Sequence, residues 1–436
     1  MQKLKFRFVD ARRHALIHYI WRLFLDMEYN NGVFSIQGIP VTELATSFGT
    51  PLFVYDGAKI TSQIERLRKA FGSTRVRIKY AAKALTNISI LKLIRTAGAE
   101  IEVVSLQEAA LAMKAGFTPS EITFTPSGVH FSEIEQAVAS GFSVNIDNLS
   151  TLTKFGEKYG ASYGCGIRIN PHILAGGNLK ISTGHINSKF GISIDHLDQI
   201  LDVVKKYAIP VYGLHIHTGS DITDADVFLK MADVLFRASE HFESLKFLDF
   251  GSGFKVAYKE GDKVTDIEQL GNKLGAAFNA FCSAKGRNLE LWVEPGKFVV
   301  SESGTFLVET NVVKQTGATT FVGVNSGLNH LIRPMMYDAY HHIVNVSNPR
   351  GAEKKYTVVG YICETDTFGA DRTLTEVREG DILAMRNAGA YCFSMSSNYN
   401  SRLKPAEVLV LNGKAHLIRE RERFEDLLNH QILIDF

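Results

Sequence analysis

The stretch VRIKYAAKALTNISILKLIRTAGAEIEVVS (76–105) decides the fold. Its two ends, VRIKY (76–80) and EIEVV (100–104), are short runs rich in Val and Ile. Between them, TNISILKLIRTAG (86–98) spaces its apolar residues with a helical period and stops on a glycine suited to the position just past a helix end. Strand, helix and strand in about 30 residues is the unit from which parallel sheets are built. The rhythm continues outward through EITFT (121–125), SVNID (143–147), GIRIN (166–170), VYGLHIH (211–217), KFLDF (246–250) and LWVEP (291–295). Helical patterns such as LQEAALAMKAG (106–116) and SEIEQAVASG (132–141) separate these runs, and Ser132 with Glu135 has the spacing of a capping box. Eight strands alternating with helices over residues 51–300 predict an α/β fold, a (β/α)8 TIM barrel. A doubly wound open sheet shares the alternation, but the count of eight favours the barrel.

After Gly296 the texture changes. FLVETNVV (306–313), HIVNV (342–346), YTVVG (356–360), DILAM (381–385), EVLVL (407–411) and KAHLI (414–418) read as strands without long helices between them. They predict a second, all-β domain of sandwich or barrel-like form, built from 301–436 together with 27–50, and FSIQGIPVTELATSFGTPLFVYD (34–56), ahead of the first barrel helix, is read as able to pair with it. Residues 1–26 mix Lys3, Lys5, Arg7, Arg12, Arg13 and Arg22 with Phe, Ile, Leu and Trp21, but lack the apolar core and cleavage site of a signal peptide. They are read as an appendage of unknown role, with Met27 as a second start; a basic amphipathic membrane-surface helix is the alternative.

Composition excludes several classes. Of 436 residues, 48 are Lys or Arg and 46 are Asp or Glu, a net charge of +2, so neither nucleic acid nor an anionic membrane is an expected partner. The cysteines Cys165, Cys282, Cys363 and Cys392 are far apart and form no C-x-x-C. No structural metal and no disulfide framework is expected, and a reducing cytoplasm suits them. The 36 glycines against 10 prolines suggest many tight turns and few rigid linkers, as in an enzyme scaffold.

A parallel barrel gathers the loops after its strands on one face. The residues just past each predicted strand are Lys83, Ser105, Asp147, Arg168 with Asn170, His215 and His217, Gly251-Ser252-Gly253, and Glu294-Pro295-Gly296. Lys83 is the one long side chain among Ala81, Ala82 and Ala84; read alone it is a surface lysine or, alternatively, a crowded, partly dry amine with nucleophilic character. His215 and His217 lie two apart and share a face; such a pair can bind metal, but no further ligand cluster is visible, and a buried structural pair is the commoner outcome. The DFGSGF turn (249–254) offers small residues and backbone N–H groups to a phosphate. A lysine nucleophile, a phosphate cradle and a carboxylate for a ring nitrogen together describe a pyridoxal 5′-phosphate site.

With those residues in view, the sequence resembles the fold-type III pyridoxal-phosphate decarboxylases, in their diaminopimelate decarboxylase branch, from about residue 35 to the C-terminal region. The likeness rests on KYAAKA (79–84), EVVS (102–105), RINP (168–171), STGHINSKFGI (182–192), GLHIHTGS (213–220), DFGSGF, EPGKF (294–298), IRPMMYDAYH (332–341), CET (363–365) and GAYCFSMSSNYNSRLKPAEVLV (389–410). It implies an alanine racemase-like barrel with a β domain, and decarboxylation of meso-2,6-diaminopimelate to L-lysine in the cytoplasm. Lys83 matches the lysine that binds the cofactor covalently, His217 the ring-stacking histidine and Glu294 the partner of the pyridine nitrogen. Gly251, Ser252, Gly253, the turn Glu294-Pro295-Gly296-Lys297 and Tyr391 match phosphate-binding positions. Arg333 and Tyr337 match groups that hold the substrate carboxylate, with Lys297 and Tyr391 beside them. Cys363 matches the proton donor and Glu364 the contact to the distal ammonium. In the family these last two reach into the partner's site, which implies a homodimer with shared active sites.

Two departures stand out. The family's arginine after E-P-G is Lys297, which keeps the charge but not the planar fork. The usual C-E-S-G-D reads Cys363-Glu364-Thr365-Asp366-Thr367, so the acid falls one residue early. An ornithine, lysine or arginine decarboxylase of the same fold is the alternative activity. A catalytically inactive, partner-binding relative is the alternative class, disfavoured because Lys83, His217 and Cys363 are all present.

Overall fold

A computed structural model describes residues 27–176 and 183–436. The appendage 1–26 and the first residue of the 182–192 motif lie outside the described residues. The chain divides into two compact units, one comprising Ile60–Ala257 and Lys263–Ser301, the other residues 27–59, 258–262 and 302–436.

Among the described residues of the first unit, eight strands form the ring in order: β1 Val76–Ala81, β2 Glu100–Val103, β3 Ile122–Phe124, β4 Ser143–Ile146, β5 Cys165–Asn170, β6 Val211–Ile216, β7 Phe247–Asp249 and β8 Glu290–Val293, with a ninth, two-residue strand, Ile192–Ser193, paired in parallel to the end of β5. Each pairs in parallel with the next, and β8 pairs with β1, so the sheet closes on itself as a barrel. The open-sheet alternative is thereby excluded. Gly98 and Gly116 end their helices with positive φ, as expected. The Ser132–Glu135 capping box does not form. The helix starts at Phe131, so Ser132 already lies in its first turn, and the His130 ring accepts the Ser132 N–H instead.

Side chains alternate along each strand, so every second residue points inward. The register Lys79↔Glu100 and Ala81↔Glu102 places two acids of β2 at successive levels of the interior. At the lower level, Lys79 is buried against Glu100 and lies 4.2 Å from the Trp292 ring. Trp292 in turn stacks on Phe247, with centroids 3.4 Å apart. That stack needs Gly213 on β6, where a Cβ would come within 2.0 Å of the Phe247 ring.

In the second unit, one sheet runs in the order Thr367–Thr375, Glu353–Val359, Thr319–Val324, Gly304–Thr316, Leu52–Asp56, Ala406–Leu411, Lys414–Arg419, with Ile382–Met385 also paired to Gly304–Thr316. Leu52–Asp56 lies in the span assigned to the barrel but also in the segment 34–56 read as pairing with the β domain, and the second reading is the one the strand pairing supports. It pairs with Gly304–Thr316 and Ala406–Leu411, because Leu52 and Val54 bury themselves beside Leu307, Val408 and Val410. On the opposite face Phe53 stacks on Phe306 at 4.3 Å, and the Tyr55 hydroxyl donates to the buried Glu407 carboxylate at 2.7 Å.

Gly213→Ala should destabilise the barrel by about 1–3 kcal/mol through overpacking against Phe247. Urea unfolding with an unchanged slope and a lower midpoint is the expected readout.

Candidate active site at the barrel mouth

The residues at the C-terminal strand ends belong to two levels, a buried charge network and an open rim. Lys83 rides on the short turn Ala82–Ala84 directly after β1. Its Nζ lies 3.4 Å from Glu102 Oε2, yet its side chain is 41% exposed while that of Glu102 is 2% exposed. Crowding is therefore not present: Ala82 and Ala84 are buried beneath the lysine and are too short to cover its amine. The buried partner is Glu102. Burial pushes its carboxyl up to about 7, with Lys83 pulling the other way and Glu294 adding to the rise.

His215 and His217 sense the same charges, those of Arg168, Lys83 and Glu294. His215 Nε2 lies 3.1 Å from Glu294 Oε2, both side chains buried. Burial, with Arg168 and Lys83 nearby, holds His217 neutral by lowering its pKa well below the usual value. The Ser252 N–H donates to His217 Nδ1 at 3.3 Å, which leaves the ring proton on Nε2. The His215 pair does have further ligand-type neighbours, contrary to the sequence reading. Its ring, Asp249 and Glu294 offer atoms within 4.8 Å of one another.

Within this cluster the two acids are driven apart. Burial raises Asp249 well above the usual carboxyl range, and the neighbouring Glu294 raises it further. Burial would raise Glu294 as well, but His215, Lys83 and His217 outweigh it and hold that carboxyl below its usual range. Glu294 is thus the anion and Asp249 the protonated neighbour. Asp249 Oδ1 accepts the Gly251 N–H at 2.9 Å. The Asp249 and Glu294 side chains are also hydrogen-bonded to each other, the protonated acid donating to the ionised one. A carboxylate held ionised in a dry site is suited to the protonated ring nitrogen of pyridoxal phosphate.

The Gly251-Ser252-Gly253 turn is shaped for close approach. Gly251 has φ +57°, and a Cβ there would stand 2.6 Å from His217 Nδ1. Two of its amides are already used inside the barrel, Gly251 to Asp249 and Ser252 to His217. The Gly253 amide meets the adjacent Ser252 hydroxyl. Pro295 and Gly296 follow β8 and are buried. Lys297 is buried too, and its Nζ donates to Asp221 Oδ1 at 2.7 Å. Its charge is therefore met by an aspartate that no motif singles out. Glu102, Asp249 and the role of Arg168 also escaped the sequence reading. The available signal was an ionisable residue at an inward position of an otherwise apolar strand. Arg168 is buried, with its guanidinium 4.8 Å from the Phe190 ring centroid.

Arg333, Tyr337, Cys363, Glu364 and Tyr391 belong to the other unit. Arg333 opens the short helix that Tyr337 closes; it is buried, 5.4 Å from the Tyr258 ring centroid, and its Nη1 donates to the Ala390 carbonyl at 3.5 Å. Tyr391 has φ +57°, a costly conformation for a bulky side chain and one that marks functional positions. Cys363 and Glu364 are exposed on the segment between the strands Glu353–Val359 and Thr367–Thr375. Cys363 Sγ accepts a hydrogen bond from Asn400 Nδ2 at 3.3 Å, and the Tyr399 hydroxyl donates to Glu364. The displaced acid, Asp366, is buried and accepts the N–H groups of Leu328 at 2.7 Å and Ile362 at 3.0 Å. It fastens the segment that displays Cys363.

Residues 57–301 match the family model described as the pyridoxal binding domain of pyridoxal-dependent decarboxylases. Diaminopimelate decarboxylase of Methanothermobacter thermautotrophicus is 36% identical over 420 residues, covering 94% of this chain and 98% of that protein. The Escherichia coli K12 enzyme of the same name is 35% identical over 407 residues, covering 89% and 96%. The crystal structure of diaminopimelate decarboxylase from M. jannaschii in co-complex with L-lysine superposes with a TM-score of 0.84 at 30% identity, covering 94% and 98%. The matched barrel is more than half of the chain, and the likeness to these relatives extends through both units. The chain belongs to the pyridoxal-dependent decarboxylase family, alongside the diaminopimelate decarboxylases.

Proposed function

We propose that this protein decarboxylates meso-2,6-diaminopimelate to L-lysine, the last step of lysine biosynthesis, with pyridoxal 5′-phosphate as its cofactor. The observation that carries the reading is the buried, ionised carboxylate of Glu294 in the same barrel mouth as Lys83. Relatives named for this activity, and a neighbouring structure solved with L-lysine, support it. Pyridoxal phosphate supplies the electron sink for the charge left when the carboxylate departs.

The residues of the chain divide the work. Lys83 would bind the cofactor aldehyde through Nζ, with Glu102 beside it able to hold or release a proton near neutral pH. Glu294 would accept the pyridine N–H, and neutral His217 would lie against the ring. Gly251, Ser252, Gly253, Pro295, Gly296 and Tyr391 would bound the phosphate. Because Lys297 already faces Asp221, Arg333 with Tyr337 is the stronger candidate for the substrate's retained carboxylate. Cys363 would protonate the carbon that lost CO2, and Glu364 would bind the distal ammonium. We assign these last two to the partner's site in a homodimer, consistent with their exposure on their own chain. The free thiols suit a cytoplasmic enzyme. Among the described residues no helix is long and apolar enough to cross a membrane.

Purified protein should release CO2 from meso-diaminopimelate; release from ornithine, lysine or arginine but not from diaminopimelate would overturn the assignment. Lys83→Ala should abolish both turnover and the cofactor's visible absorbance band. Cys363→Ala should keep that band but slow turnover by about 10²–10⁴-fold, and mixing these two variants should restore activity through one intact site per heterodimer. Glu102 titrates near 7 in the folded chain against about 4.5 unfolded, so its contribution to stability is fully present below 4.5 and is lost as pH rises through 7. In cofactor-free protein, Glu102→Gln should flatten that part of the melting-temperature profile.

A further inference from the structure

The segment Gly360–Asp366 is clamped at its base and presented at its tip. Its ends are tied by the Gly360 N–H to the Asp366 carbonyl at 2.7 Å, and by Asp366 itself to the Leu328 and Ile362 amides. Tyr361 donates its N–H to the Ser326 carbonyl at 3.1 Å, and its ring lies 3.9 Å from the Arg402 guanidinium. Above this base, Cys363, Glu364 and Thr365 are exposed. Two side chains from one short turn, Tyr399–Ser401, reach this tip: Tyr399 to Glu364 and Asn400 to Cys363. The turn is itself anchored, by the Ser397 N–H to the Asn329 carbonyl at 2.7 Å and by Asn398 and the Lys404 N–H to Glu422. Asn400 has φ +57°, a conformation that Asn tolerates better than most side chains.

We infer that Asn400 is a positioning residue for the Cys363 thiol, one that aims its proton and stabilises the thiolate left behind. The inference rests on the proposed role of Cys363 as proton donor. The Asn400 amide donates into a sulfur lone pair, so the S–H hydrogen must point elsewhere and is kept for delivery. In the step itself the S–H bond breaks, a C–H bond forms at the decarboxylated carbon, and the electron pair of the S–H bond stays on sulfur. The charge then on sulfur is met by the amide N–H, whose dipole is already oriented and needs no rearrangement. Water that enters the site once the product has left returns the proton to sulfur. The neighbouring Glu364 carboxylate would oppose a thiolate. The Tyr399 hydroxyl that donates to Glu364 spreads that negative charge away from sulfur.

The test follows the thiol itself. The full-length, cofactor-loaded protein is alkylated with iodoacetamide over a pH series, and the label on Cys363 is read by peptide mass spectrometry, with buried Cys165 and Cys392 as internal references. Asn400→Gly keeps the positive φ and removes the amide donor; Asn400→Asp keeps the shape and replaces the donor with an acceptor. We expect labelling near neutral pH to slow about 3–10-fold in Asn400→Gly, and further in Asn400→Asp. The rate of CO2 release should fall with little change in KM, while the cofactor band is unchanged. A Cys363 pH profile in Asn400→Gly that overlays the unmodified protein overturns the inference. If Asn400→Gly does not fold, the same overlay in Asn400→Asp overturns it. The labelling reads Asn400 directly, so a failure of the substrate assignment would show separately, as absent CO2 release with the thiol shift intact.

Discussion

Closing eight parallel strands into a ring removes every sheet edge and points eight C-terminal strand ends at one rim. Everything in the barrel site depends on that closure. β1 supplies Lys83, β2 Glu102, β5 Arg168, β6 His215 and His217, β7 Asp249 with the glycine turn, and β8 Glu294. These residues are up to about two hundred positions apart, and the ring is what makes them neighbours. Closure also sets a steric condition on the interior, met at Gly213, where the Phe247–Trp292 stack leaves no space for a Cβ.

Inside such a ring, acids and bases cannot ionise independently. Burial raises Glu102 and Asp249, while the histidines and Lys83 keep Glu294 ionised despite its burial. The barrel thus holds one firm anion at the end of β8, a protonated acid at the end of β7, and an acid that titrates near 7 beside Lys83. This separation of roles among like residues suits a cofactor that needs a permanent partner for a ring nitrogen and proton traffic at its reactive end.

The second unit meets a different demand, that of presenting exposed chemistry on an unmoving mount. Asp366 holds two amides at the base of the Cys363 segment, while Tyr399 and Asn400 hold its tip. The displacement of this acid relative to the usual family pattern is therefore compatible with a structural task. Tyr391 and Asn400 both carry positive φ, backbone conformations that the packing around them has to sustain.

Much of this was legible in the chain. The eight barrel runs were visible because strands buried on both faces read as short apolar bursts, and because some of the helices between them end on a glycine, as at Gly98 and Gly116. The strands Thr319–Val324 and Thr367–Thr375 were not read; the second carries Gly369, Asp371 and Arg372, and its extended form comes from pairing with Glu353–Val359. The placement of Leu52–Asp56 likewise depended on which core its alternate side chains entered. At the site, residue types and spacing marked Lys83, His217, Glu294 and the glycine turn. The partners Glu102, Asp249, Asp221 and Asn400 were invisible, because an ordinary acid or amide acquires its role only from what the fold sets beside it. The sequence by itself determined the order of strands and the residues at their ends, since both are local patterns of hydrophobicity and turn chemistry. Only the tertiary structure decided which charges are dry, which are paired and which acid stays ionised, because burial and distance across the barrel are properties of no single segment.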